Sequence, residues 1–138
     1  MSDSFWMLGV RLAGGFHFMT LTLACFTPIP PDWETHLATL PPIHRRFAIA
    51  QNLSIGATIA VLGLFSLFFA RELTSGSSLG RAVCGATALF WGGRLCILPW
   101  LGVRPVLNTP LLKLGYALLL TECFIFASAY GWLAFGGV

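Results

Sequence analysis

Three ionisable side chains, His17, Arg94 and Glu122, stand at a similar depth inside long apolar runs of this 138-residue chain. An ionisable group inside a membrane span is energetically expensive, so each of the three needs an explanation. Counted from run ends that share a side, they lie about 9, 9 and 12 residues in, which is roughly 14, 14 and 18 Å deep at helical rise. A histidine beside an acid and an arginine suits proton handling or ligand binding. The same three groups also suffice for a buried Arg94–Glu122 ion pair that sets helix register, with His17 donating one more hydrogen bond. No nucleophile or second carboxylate sits at a spacing that would complete a catalytic set, so the expectation is a structural cluster and no catalytic residue is assigned. Small residues flank the cluster at helical intervals, Ala13 and Ala24 about His17 and Gly115 and Ala129 about Glu122, and mark faces that turn inward.

The remaining candidates for chemistry reduce to packing or anchoring. Cys25, Cys84, Cys96 and Cys123 all lie in apolar runs with no CxxC and no histidine at a ligand interval, so they read as small apolar residues and no metal is expected. His36 and His44 fall between the first and second runs, where they do not face His17 across a macrocycle as two haem ligands must, and no cofactor is assigned. His44, Arg45 and Arg46 read as an interfacial basic anchor at the headgroups.

The elements that must position these residues follow from composition. The chain is 57% hydrophobic and only 9% charged, with a mean hydropathy of +0.81. That excludes a disordered tail and a nucleic-acid module, because too little charge remains to solvate a surface or follow phosphates. About 20 apolar residues cross the roughly 30 Å of hydrocarbon, and four such runs are present, at about 5–26, 47–70, 82–103 and 111–135. Backbone in lipid must satisfy its own hydrogen bonds, and the runs lack a two-residue alternation, so helices are expected rather than a barrel. The first run carries Arg11 and His17 and lacks a basic lead, so it is expected to be retained as a span rather than cleaved as a signal. The expected fold is all-α: an integral membrane four-helix transmembrane bundle forming a single domain over residues 1–138, with a short interfacial helix in the first loop. That helix is placed at 32–40 between proline pairs, with Asp32 as its cap and Trp33, Leu37 and Leu40 on one face. Gly76 and Gly80 with three serines make 71–80 a flexible turn, and Pro105 and Pro110 bracket another.

Asn52, Gly56, Ala60 and Gly63 form a small-residue stripe on the second span, and Gly85, Ala88 and Gly92 form one on the third. The two stripes are expected to pack on each other, with a contact between copies as the competing use. Short-loop charges place Arg45, Arg46, Arg104 and Lys113 on one side against Arg71 and Arg81 on the other, which favours termini outside, in a bacterial inner membrane. The run Arg46 to Asn52, with Arg94 in the third span, resembles the membrane-associated glutathione-metabolism proteins, which are four-helix bundles with an Arg and an Asn entering their second helix. That family places a glutamate one turn after the asparagine, where this chain has Ile55. The resemblance therefore implies the bundle and carries no glutathione site. The expected function is that of a non-catalytic subunit, assembly factor or scaffold, held in the lipid bilayer and associating with other membrane proteins or with itself. The alternatives are a small proton-coupled transporter using Glu122, and a membrane-embedded lipid or thiol enzyme.

Overall fold

The computed structural model describes residues 2–26 and 32–136. Its elements are α1 (Ser2–Phe26), α2 (Trp33–Thr39), α3 (Pro42–Phe68), α4 (Ala70–Leu73), α5 (Ser78–Trp100), a 3-10 turn (Arg104–Val106) and α6 (Pro110–Phe135), with no strand among the described residues. Helices α1, α3, α5 and α6 are each long and apolar enough to cross a membrane. The chain is an all-α membrane bundle.

Local chemistry sets the helix ends. The Ser77 hydroxyl accepts from the Gly80 amide at the start of α5, and Thr109 does the same for Leu112 at the start of α6. Gly136 ends α6 at φ 111°, a left-handed conformation open to a residue without a Cβ. The second span starts earlier than expected, at Pro42 rather than near residue 47, because a proline in the first helical turn lacks only an amide that would have had no partner. His44, Arg45 and Arg46 are thereby helical, and all three are exposed. The interfacial helix forms as α2, but Asp32 sits at φ 60° and gives no side-chain cap; its carbonyl accepts from the His36 amide instead. Leu37 is buried and Trp33 half-buried, whereas Leu40 is exposed and leaves the expected face. The prolines before α2, Pro28, Pro30 and Pro31, lie outside the described residues. The turn expected at 71–80 is shorter, with Gly76 at φ 70° between Leu73 and Ser78, because the helix breaks at Phe69 and resumes for one turn as α4, which buries Ala70 and Leu73.

The spans pack as two close antiparallel pairs. Gly14 of α1 lies against the backbone of Gly63 and Leu67, and a Cβ added at Gly63 would meet Phe18 and His17 within 3.0 Å. On the other pair, a Cβ at Gly85 or Gly92 of α5 would rest 3.8 Å from Ala134 or Ala127 of α6. The expected pairing of the second-span and third-span stripes is therefore corrected. Gly56 and Gly63 face Leu21, Phe18 and His17 of α1, Gly85 and Gly92 face Ala134 and Ala127 of α6, and each glycine stripe packs inside its own hairpin. Asn52, at the head of its stripe, is exposed, and Ala60 is half-buried.

Large side chains fill the seam between the pairs: Val10, Ile59, Trp91, Phe126, Tyr130 and Leu133. Among the described residues, hydrogen bonds cross it from Ser66 to Tyr130, Trp91 to His17, and Thr20 to Glu122. On the termini side, α4 closes the seam, where the buried Cys84 thiol points at the Leu73 carbonyl 3.6 Å away. Cys123 is also buried, while Cys25 and Cys96 are exposed.

Four crossings put the second loop and the C-terminus on one side. Reporter fusions inserted at Gly76 and after Gly136 are expected to give the same sidedness. Opposite signals would remove one span from the fold.

Candidate functional site

His17 is wholly buried. One turn of helix decides its first bond: Nδ1 lies 2.7 Å from the Ala13 carbonyl, four residues back on α1. The Trp91 indole N–H reaches Nε2 from α5 at 3.1 Å. An indole nitrogen only donates, so Nε2 accepts and Nδ1 carries the proton toward Ala13, which assigns the neutral Nδ1–H tautomer from the hydrogen-bond pattern. The ring stacks on Phe126 with centroids 4.6 Å apart and planes 11° apart, and it meets Trp91 and Tyr130 edge-on. Both nitrogens and one face of the imidazole are thus committed to the protein.

A second layer lies one helical turn toward the opposite side of the membrane: Thr20 follows His17 by three residues, Arg94 follows Trp91 by three, and Glu122 precedes Phe126 by four. The Thr20 hydroxyl sits 2.6 Å from each carboxyl oxygen of Glu122 and 3.0 Å from the Phe16 carbonyl. The shorter distances mark the carboxyl group as its main partner. Arg94 lies close enough to act on Glu122 through its charge. Its guanidinium stands 5.9 Å from the centre of the Phe90 ring, and its Nε is buried without a hydrogen-bond partner.

The three sequence-selected residues therefore divide between two adjacent layers. The expected direct Arg94–Glu122 pair with His17 hydrogen-bonded to it is corrected: among the described residues Glu122 bonds to Thr20, and His17 bonds to Trp91 and Ala13. Geometry explains the outcome, since Thr20 is the polar group directly across the seam from Glu122, while Arg94 extends along its own helix over Phe90. Sequence reasoning missed Trp91 and Thr20. A threonine in a membrane helix satisfies itself on the carbonyl four residues back, as Thr22 and Thr58 do here, so nothing in its type announces a partner on another helix.

The other candidates are dispersed. Trp33 starts α2 and His44–Arg46 lie at the start of α3, away from both layers, and the described His, Cys, Asp and Glu residues form no group of three that could hold a metal ion. A double-mutant cycle of Thr20→Val and Glu122→Gln is expected to show a coupling of about 1–2 kcal/mol in unfolding free energy. Additive effects would separate the two side chains. Compared with protein-family models, curated proteins and solved structures, the chain matches none.

Proposed function

We propose that this chain is a non-catalytic membrane protein that works by association, as a small subunit, assembly factor or scaffold in a bacterial inner membrane, with its termini outside. The observation that carries this reading is Asn52. It lies six residues beyond Arg46 on α3, about 9 Å along the helix axis at helical rise, and is exposed beside Gln51 among Leu53, Ile49 and Ile55, whose side chains are exposed too. Its amide makes no hydrogen bond to a described residue. An amide at that depth needs a partner of its own kind, and a second membrane helix bringing an amide, hydroxyl or backbone carbonyl supplies one. The His17 layer supports the same reading, because its polar atoms are consumed in holding the two helix pairs together.

Asn52→Leu tests this. Being exposed, the site tolerates the change in folding, so the variant is expected to keep its unfolding midpoint while losing most of its self-association or of its co-purification with partner proteins from native membranes. Unchanged assembly would overturn the proposal. The competing proton-coupled transporter draws on Glu122, half-buried beside the partly unsatisfied Arg94. It gains the ground if Glu122→Gln folds and assembles normally yet abolishes a proton-dependent flux.

A further inference from the structure

The third loop and the first turns of α6 form an open cavity of about 360 Å³ on the outside of the bundle, lined by Arg104, Leu107, Lys113, Tyr116, Ala117 and Leu120. We propose that this cavity binds an anionic phospholipid, with the phosphate at Arg104 and Lys113 and the acyl region along Ala117 and Leu120. The charge at its rim is uncompensated. No aspartate or glutamate occurs between Glu72 and Glu122, both cations are exposed, and neither forms an ion pair among the described residues, Asp32 and Glu34 of the first loop included, so both are open to an anion from outside the chain.

The walls select the rest of the ligand. Leu107 and Tyr116 are 6% and 8% exposed and make an apolar floor, and the Tyr116 hydroxyl has no hydrogen-bond partner among the described residues. Leu120 lies seven residues beyond Lys113 on α6, about 10 Å further along the helix, so the lining passes from charged to apolar in the direction of the hydrocarbon. A free phosphate would use only the rim. A phospholipid uses the whole gradient, and its headgroup region already sits at this depth. Arg45 and Arg46 share this side of the membrane but line no part of the cavity, which makes them the control.

Retention of phosphatidylglycerol against phosphatidylcholine, measured by native mass spectrometry of the purified protein, tests the site. Wild type is expected to prefer the anionic lipid by on the order of tenfold, the scale of two interfacial cations. Arg104→Ala with Lys113→Ala should abolish the preference, and so should Ala117→Trp, which fills the cavity but keeps both charges. Arg45→Ala with Arg46→Ala should leave it intact, and millimolar inorganic phosphate should not displace the lipid. Equal retention of the two lipids by wild type overturns the site. Equal losses in the two double variants would reduce it to diffuse surface charge, an unaffected Ala117→Trp would exclude the cavity, and displacement by phosphate would make it an anion site rather than a lipid site. Each of these results overturns the proposal.

Discussion

Trp91→Ala is expected to be the most damaging single substitution in the chain, lowering the unfolding free energy by about 3–5 kcal/mol. The indole is fully buried at the centre of the seam, with ring contacts to His17, Phe90 and Phe126 at centroid distances of 5.2, 5.4 and 5.2 Å. Its removal opens a void between the helix pairs and strands the His17 Nε2 acceptor. Trp91→Phe separates the two contributions, because it keeps most of the ring and deletes only the N–H. The phenylalanine variant should lose about 1 kcal/mol, the scale of a net hydrogen bond inside a membrane bundle. Reversible unfolding in mixed micelles gives both values. A phenylalanine variant as unstable as the alanine variant would shift the weight from packing to the hydrogen bond. An alanine variant within 0.5 kcal/mol of wild type, inside the usual range for a surface substitution, would show that the indole is not in the core at all.

Gly14→Ala is expected to destabilise the protein and Gly92→Ala, the same substitution on the other helix pair, is not. At Gly14 the new Cβ would lie 2.7 Å from Leu67 Cγ and 3.0 Å from both the Gly63 carbonyl oxygen and the Leu67 amide nitrogen. Backbone cannot swing aside as a side chain does, so α1 and α3 must part. The cost of overpacking, about 1–3 kcal/mol, exceeds the gain of about 1 kcal/mol in helix propensity. At Gly92 the new Cβ would meet only Ala127 Cβ at an ordinary 3.8 Å, so the propensity gain stands and the variant should be neutral or slightly more stable. Gly14→Val, with two further methyl groups, should fail to form the first pair. Equal responses at Gly14 and Gly92 would show that α1 and α3 are no closer than α5 and α6.

What the sequence determined by itself was everything that depends on one helix and its solvent. Scarce charge and four apolar runs require membrane helices, because backbone in lipid has no other way to satisfy its hydrogen bonds. Pro110, which closes the turn before the last run, stands at the start of α6, where a proline loses only an amide without a partner. His17, Arg94 and Glu122 stood out because the bilayer makes polar groups costly whatever surrounds them. Which groups they would meet was a different matter. Trp91 counts as apolar and Thr20 as self-satisfied, so neither type nor spacing distinguished them as partners. The glycine stripes announced that backbones approach closely but not which neighbour approaches, since a face of small residues accepts any helix that presents another. That choice rests on the rotation of each helix about its own axis. Only the tertiary structure decides it, because the bulky seam of Trp91, Phe126 and Tyr130 and the close contacts of Gly14 and Gly63 must be satisfied together, and a helix turned to suit one neighbour is no longer free to suit the next.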